Sequence, residues 1–427
     1  MDPAQPVVPA APIAARPLPL PMRVNGAPAA PEIVPAPATR QAAPFETLMA
    51  RVHEIGRQII APAAADVVRA ARFPQEAIDA LRDLRLLSAY LPPDLGGMGL
   101  SVIEIARLCE LLGQYCGSTA MVFAMHQIQV ACLVHHGRGS AFFEGYLRDL
   151  ATRQFLIASA TTEIGVGGDL RSSVCALEIA GDRFTLVKKA PVISYGEAAD
   201  DILVTCRRAA DAASSDQVQV LVRRRDYHLE PLSTWDTLGF RGTCSSGFVL
   251  RSTGDLDQVI PVPFSEILSE TMHPVSHIVW ASLWSGIAAD AVNHARAFVR
   301  SEARRNPAIP PTSALRLAEV DNVLQGMRNN IEAALLDYVA RRDRGDAEVF
   351  KSFAFAIRTN NLKLSSSQLI VDIVGRAMLI CGIAAYRNDS PYSLGRHLRD
   401  AFGAALMVNN DRIMNHNAAM LLAHKEG

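Results

Sequence analysis

Three kinds of residue in this chain could carry chemistry: a glycine-rich segment, the cysteines and the histidines. The glycine-rich segment GVGG (165–168) has the composition of a loop that cradles phosphate. Such a loop needs a strand before it and a helix N-terminus after it, because the first N–H groups of the helix hold the anion. The next segment, LRSSVCALEI, does not have the pattern of a helix. The sequence therefore predicts neither a dinucleotide-binding fingerprint nor a P-loop here.

The seven cysteines are scattered along the chain, and no two of them form a C-x-x-C pair. An odd number without regular spacing argues against a disulfide framework, and the missing pairs argue against structural zinc. We therefore expect no metal centre, buried thiols and a reducing, cytoplasmic compartment.

Length, composition and charge limit the kind of protein that could position such groups. The chain has 427 residues, of which 49% are apolar and 20% charged, with a net charge of −1. This length predicts two or three domains with a large core. The longest apolar runs fall far short of the roughly 20 residues of a membrane span. The charge gives no basic footprint for nucleic acid. We expect a soluble protein that binds neither membrane nor nucleic acid.

Residues 1–44 differ from the rest, since they contain 12 of the 25 prolines, interleaved with alanine and valine. Such a tract cannot bury a core, which predicts a disordered, polyproline-like tail. A signal peptide would need an uninterrupted apolar stretch after a basic start, and the tract has none. A docking tail for a partner enzyme is the functional alternative.

The hydrophobic period divides the remaining chain into three parts. In residues 45–155 the apolar residues recur at spacings of three and four positions, which predicts an N-terminal helical domain. In residues 156–265 the period is two, with candidate strands FTLVKK, DILVTCRR, VQVLVRRR and SGFVLRS, which predicts an antiparallel β-domain. The helical period returns in residues 266–427 and predicts a C-terminal four-helix bundle. The fold class is α+β.

Four segments resemble, in the right order, motifs of the acyl-CoA dehydrogenase family. LPPDLGGMGLS (91–101) resembles the turn of its N-terminal domain, and TTEIGVGGD (161–169) its T-E-x-G-x-G-S-D loop. TLGFRGTCSSGFVL (237–250) resembles its L-G-M-R-G-T-x-S strand pair, and PYSLGRHLRDA (391–401) its Y-P-V-E-x-x-x-R-D-A element. The resemblance implies a flavoprotein oxidoreductase acting on a CH–CH group. It also implies FAD between the β-domain and the bundle, and a homo-oligomer, either a dimer or a tetramer.

The resemblance further implies a set of site residues. Thr161 and Thr162 would donate to the edge of the flavin ring, and Ser194 stands where the family's W-I-T-N segment supplies another hydroxyl. Donors at that edge stabilise negative charge on the reduced flavin; the alternative is that these residues simply end strands. Gly168 replaces the usual serine at the substrate, and His126 falls near the floor of the family's site.

The sequence differs from the family at the segment that would contact the pyrophosphate of FAD. Its E-R-x-x-F-G segment becomes SEARRNP (301–307), without Phe-Gly. Arg305, or Arg304 beside it, could still reach a phosphate of FAD. An exposed arginine at a helix end is the other interpretation.

The catalytic base is missing from its usual positions. Removal of an α-proton needs an acceptor within hydrogen-bonding reach, but the two positions where the family places a Glu are Val408 and Ser276. Asp411 is one substitute, although it could equally be an N-cap or a first-turn charge of the last helix. His277 is a second, although a lone histidine in an apolar helix is more often a packed residue. A third possibility is that the reaction needs no base.

Three functions follow. The first is an acyl-CoA dehydrogenase-like enzyme that oxidises an acyl thioester, carried by CoA or an acyl-carrier protein, and passes electrons to an acceptor flavoprotein. The second is a two-component flavin monooxygenase, which uses supplied reduced flavin and O₂. The third is a non-catalytic binding protein that uses its proline-rich tail for partners.

Overall fold

The structure is a computed structural model that describes residues 42–167, 169–305, 307 and 311–423. The predicted tail (1–44) lies outside these residues except for its last three, which belong to the first helix rather than to an irregular segment. The chain from Pro44 onwards forms one compact unit.

The N-terminal part is helical, as its apolar spacing predicts. Ser101 is the N-cap of a 14-residue helix that begins at Val102: its Oγ accepts from the N–H of Glu104, and the Glu104 carboxylate accepts from the N–H of Ser101 at 2.7 Å. These reciprocal hydrogen bonds form a capping box, which fixes the start of the helix. The helices are α1 (Ala42–Ile55), α2 (Ala61–Ala70), α3 (Gln75–Asp83), α4 (Val102–Tyr115), α5 (Gly117–His136) and α6 (Ala141–Arg153).

The strands form two sheets, in the orders β1-β4-β5 and β2-β3-β7-β6. The pairing is antiparallel, as predicted, except between β1 and β4, which form a parallel pair that the sequence patterns did not predict. Sequence patterns predicted β3, β4, β5 and β7. They missed the short β1 and β2, and also β6, in which Pro231 is tolerated because the strand lies at a sheet edge. The bounds are β1 (Ile157–Ala160), β2 (Glu178–Ala180), β3 (Arg183–Ala190), β4 (Asp201–Arg207), β5 (Gln217–Arg223), β6 (Tyr227–Ser233) and β7 (Gly247–Asp255).

The C-terminal part is helical, as predicted; it contains three long helices and several shorter ones, where the sequence predicted a four-helix bundle. Helix α8 lies at its centre and packs against α4, α9 and α11. It approaches α4 closely, since a Cβ at Gly286 would stand 2.0 Å from the carbonyl oxygen of Glu110. The helices are α7 (Phe264–Ile267), α8 (His273–Arg305), α9 (Ser313–Asp343), α10 (Ala347–Phe350), α11 (Phe353–Cys381), α12 (Ile383–Tyr386), α13 (Gly395–Leu406) and α14 (Asn410–Ala423).

Two described helices, α5 and α11, are long and apolar enough to cross a membrane on length and composition alone. In the most apolar part of α5, 94% of the residues are buried inside the protein, and in that of α11, 44%. Core helices of compact proteins meet the same criteria, so this is weak support for a membrane span. The cysteines are all free, and all but Cys244 are buried.

Candidate active site

A cavity of about 760 Å³ lies where the helices meet the sheets. Its walls come from α5, from the segments that follow β1 and β3, from the start of α8 and from α13. This volume is in the range of small-molecule and cofactor sites. The polar and charged residues of the described lining are Gln129, Ser159, Thr161, Thr162, Ser194, Thr237, Thr243, Ser245, His273, Ser276, His277, Asn409, Arg399 and Arg412, and most of the others are apolar.

The three predicted flavin contacts all line this cavity. Thr161 and Thr162 follow β1 directly, and Ser194 lies four residues after β3 ends. The Oγ1 of Thr161 lies 2.8 Å from the Oγ of Ser159, and the Thr162 hydroxyl approaches the carbonyl of Val192 at 3.5 Å. The fold therefore brings together hydroxyls that are more than 30 residues apart in sequence.

Ser194 continues into a second group of hydroxyls. Ser245 donates to the Oγ of Ser194 at 2.8 Å, and Ser245 in turn lies 2.8 Å from the hydroxyl of Thr243. Because Ser194 accepts this bond, its own proton stays available to an acceptor in the cavity. Thr243 and Ser245 lie in the recognised TLGFRGTCSSGFVL motif, but the sequence did not identify them as site residues.

Two histidines of α8 face the same space. His277 Nδ1 lies 3.1 Å from the carbonyl oxygen of Thr359, so that nitrogen must carry the proton and Nε2 keeps a lone pair. Burial, followed by the neighbouring His273, holds the pKa of His277 well below its ordinary value. His273 Nε2 lies 2.8 Å from Asn360 Oδ1, and burial lowers the pKa of His273 to about 4. Both rings are therefore neutral at pH 7.

Two further polar atoms in the wall lack protein partners among the described residues. Trp280 Nε1 is a buried donor without an acceptor, and Gln129 Oε1 is a buried acceptor without a donor. Both residues line the cavity. A buried polar atom without a partner costs free energy, so a ligand that satisfies these two atoms gains affinity from them. Sequence patterns did not identify either residue as part of a site, because a single polar group within an apolar helix is not distinguishable from a residue of the hydrophobic core.

Both positions at which the family carries its Glu open onto the cavity. Val408 has no proton-accepting atom, and the hydroxyl of Ser276 is used by the carbonyls of Met272 and His273. Among the residues that the structure describes, no Asp or Glu lines the cavity. Its two charged residues, Arg399 and Arg412, are cationic.

Asp411 is exposed in the first turn of α14 and is not part of the described lining. The N-cap of that helix is Asn409, whose Oδ1 accepts from the N–H groups of Asp411 at 2.9 Å and Arg412 at 3.2 Å. Of the N-cap and the first-turn positions considered for Asp411, the structure therefore shows the first-turn position, where its negative charge interacts favourably with the helix dipole.

The remaining predicted residues lie elsewhere. Both nitrogens of His126 bind backbone: Nε2 lies 2.7 Å from the carbonyl of Leu87, and Nδ1 accepts from the N–H of Ile157 at 3.0 Å. Burial lowers the pKa of His126 to about 4, and this neutral ring ties α5 to β1 rather than facing the cavity. Arg305 is the exposed last residue of α8, outside the described lining. Gly168 falls outside the described residues.

A family description, "Acyl-CoA dehydrogenase, N-terminal domain", matches residues 45–154. Cyclohex-1-ene-1-carbonyl-CoA dehydrogenase of Geobacter metallireducens is 29% identical over 196 residues, 46% of this chain and 51% of that protein. The chain thus matches only about half the length of this relative. L-evernosamine nitrososynthase of a Micromonospora species is 26% identical over 377 residues, covering 82% of this chain and 83% of the relative.

Solved structures give the same fold. Butyryl-CoA dehydrogenase of Megasphaera elsdenii has a TM-score of 0.76 at 18% identity, covering 90% of this chain and 98% of that one. KijD3 in complex with FMN and a dTDP-amino-keto sugar has a TM-score of 0.78 at 21% identity, covering 91% and 96%. Dibenzothiophene monooxygenase of Paenibacillus sp. A11-2 has a TM-score of 0.73 at 16% identity, covering 90% and 98%. These likenesses confirm the predicted fold class.

Proposed function

We propose that this acyl-CoA dehydrogenase-like oxidoreductase is a flavin-dependent monooxygenase of the two-component type, the second of the three functions considered from the sequence. The observation that carries the proposal is the absence of a carboxylate from the described cavity lining, where Val408 and Ser276 occupy the positions of the base. α,β-Desaturation of a thioester requires a base at the α-carbon, whereas oxygenation of a nitrogen or sulfur does not.

The residues present fit a flavin. The available proton of Ser194, the N–H of Trp280 and the two cationic side chains offer donors and positive charge to an electron-rich ring system. A bound reduced flavin supplies the activation of O₂, and the protein supplies position and electrostatics. The cofactor predicted from the sequence is FAD; FMN is the alternative, and parallel titrations with both flavins distinguish them.

His277 then has a binding role. Its Nε2 lone pair accepts a hydrogen bond from an N–H or O–H of the substrate, while Thr359 fixes the ring through Nδ1. Because the pKa of His277 is held far below its ordinary value, the ring is a poor acceptor for a carbon-bound proton. The apolar remainder of the wall excludes water from the reacting atoms.

The relatives include both kinds of enzyme. The nitrososynthase matches 82% of this chain at 26% identity, and a short-chain acyl-CoA dehydrogenase of Clostridium acetobutylicum matches 83% of it at 20% identity. The dehydrogenase acting on acyl-CoA or acyl-carrier-protein substrates remains the second candidate, since that relative and several others are dehydrogenases. An acceptor flavoprotein would be its partner; a flavin reductase is the partner of the monooxygenase.

The experiment separates the two candidates on one preparation. The flavin-loaded protein is mixed anaerobically with a series of acyl-CoA thioesters, and the visible absorbance of oxidised flavin is followed. A second mixture contains NADH, a flavin reductase, O₂ and a panel of primary amines and thioethers, with products read by mass spectrometry. We expect no bleaching in the first and products one oxygen heavier in the second. Bleaching by a thioester without NADH would refute the monooxygenase.

We also propose that the chain forms a homo-oligomer, a dimer or a tetramer. Six apolar side chains in the described C-terminal part are each more than 70% exposed in the isolated chain: Leu315, Leu379, Ile383, Tyr386, Leu406 and Leu422. Light scattering coupled to gel filtration measures the mass directly. A monomer at micromolar concentration would contradict the proposal.

A further inference from the structure

We propose that Asp290, His294 and His397 form a binding site for one divalent transition-metal ion of the zinc class, between α8 and α13. Each residue offers one ligand atom, and these atoms all lie within 4.8 Å of one another. None of the three residues belongs to the described lining of the cavity, so the site is separate from the candidate active site.

The distances suit a shared ion. His397 Nε2 lies 2.7 Å and His294 Nε2 lies 3.7 Å from Asp290 Oδ2. Two ligands bound tetrahedrally to one Zn²⁺, with bonds of about 2.1 Å, lie about 3.4 Å apart. Insertion of the ion therefore requires these two separations to change by less than about 1 Å, which side-chain rotation achieves without movement of the helices.

The backbone holds the three side chains in place. Asp290 and His294 are four residues apart on the continuous helix α8, and residues at this spacing lie on the same helix face. His397 is in the first turn of α13, which packs against α8. A metal bound here would clamp the two helices together.

Each of the two imidazole rings has a nitrogen without a described protein partner, since the Nδ1 atoms of His294 and His397 are both buried and make no described hydrogen bond. Protein contacts therefore do not occupy both nitrogens of either ring.

The donor set selects the class of ion. Two imidazoles and a single carboxylate favour Zn²⁺, Co²⁺ or Ni²⁺ over Mg²⁺ or Ca²⁺, which prefer several oxygen ligands. The neighbouring Arg396, whose guanidinium donates to the carbonyl of Tyr115, opposes a second cation. We therefore expect one ion per chain, with a fourth position left to water.

The test uses the full chain, untagged, flavin-free and stripped with EDTA. Zn²⁺ is measured by equilibrium dialysis with elemental analysis, and Co²⁺ by its visible absorption. We expect one ion per chain, a rise in melting temperature with Zn²⁺, and a tetrahedral Co²⁺ spectrum. His294→Gln, at a half-exposed position, should weaken binding at least tenfold, and Asp290→Asn similarly. The control is His228→Gln, on an exposed histidine of β6, which should change nothing.

Two results would overturn the site. The first is no stoichiometric binding by the unaltered chain, which would leave the cluster as a hydrogen-bonded His–Asp pair. The second is equal binding by the His294→Gln and His228→Gln proteins, which would show adventitious binding elsewhere. Because metal binding is measured without flavin or substrate, neither result bears on the proposed monooxygenase.

Discussion

Replacement of Lys188 by methionine should destabilise the protein strongly and loosen the loop that carries Thr161 and Thr162. Lys188 and Glu163 form an ion pair at 3.3 Å, with side chains that are 1% and 5% exposed. Lys188 also donates to the carbonyl of Thr205 at 2.7 Å. Glu163, directly after the two threonines, accepts from the backbone N–H groups of Val174 and Cys175 and from Ser173 Oγ. The pair therefore fastens the loop to the sheet.

The size of the effect follows from the charge that is left behind. Removal of one partner of a buried pair costs about 3–5 kcal/mol, because the other charge stays buried without compensation. Glu163 keeps its three other hydrogen bonds, so we expect about 3 kcal/mol for Lys188→Met. The double variant Glu163→Gln/Lys188→Met leaves no unpaired charge. Its loss of unfolding free energy should therefore be at least about 2 kcal/mol smaller than the sum of the losses of the two single variants.

Urea unfolding at pH 7, followed by tryptophan fluorescence and circular dichroism, measures these differences. Lys189→Met is the matched control, since Lys189 is the next residue on β3 and points to solvent, and it should have no effect. Burial alone would raise the pKa of Glu163, but Lys188 and the hydrogen bonds lower it overall. The contribution of the pair is thus present above the ordinary Glu pKa of about 4.3 and is lost as the pH falls further. A cost below about 1 kcal/mol, or additive single variants, would refute this account.

Four further predictions concern the cavity and its surroundings. Ser194→Ala should weaken flavin binding about fivefold to tenfold through loss of one hydrogen bond, measured by fluorescence titration; equal affinity would remove Ser194 from the site. Trp280→Phe should lower the stability of the flavin-free protein in urea unfolding only through the buried volume that it removes, because its N–H has no described partner to lose, and it should weaken ligand binding. Asp411→Asn should leave turnover unchanged, and loss of turnover would restore Asp411 as the base. Stability should fall as the pH drops from about 6.5 to about 4, by up to about 1.4 kcal/mol per pH unit for His126, since its folded pKa is lowered to about 4; pH-dependent urea unfolding without such a slope would contradict the neutral ring.

The sequence predicted element types well where the pattern is long. Helices such as α9 and α11 repeat their apolar spacing over 31 and 29 residues, and a local repeat needs no tertiary information. β1 and β2 have only four and three residues, too few for a period to appear. The parallel pairing of β1 with β4 joins residues more than 40 positions apart, which local patterns do not encode.

The candidate site was likewise predicted in part from the sequence and decided in part by the fold. Motif positions indicated Thr161, Thr162 and Ser194, and all three line the cavity. The family resemblance also placed His126 near the floor of the site, but its two nitrogens are occupied by backbone groups of Leu87 and Ile157, which only the fold brings near.

The amino-acid sequence by itself therefore determined the order of the helical and strand-rich parts, the family resemblance and the lack of a carboxylate at Val408, because each depends on residue type and short-range spacing. Tertiary structure alone decided which polar groups are buried without partners and which distant groups meet. His397 reaches Asp290 across 107 positions of the chain, and packing buries the Nε1 atom of Trp280 where no described acceptor meets it. Burial and partner choice are properties of packing, since they depend on residues that the chain brings together from far apart.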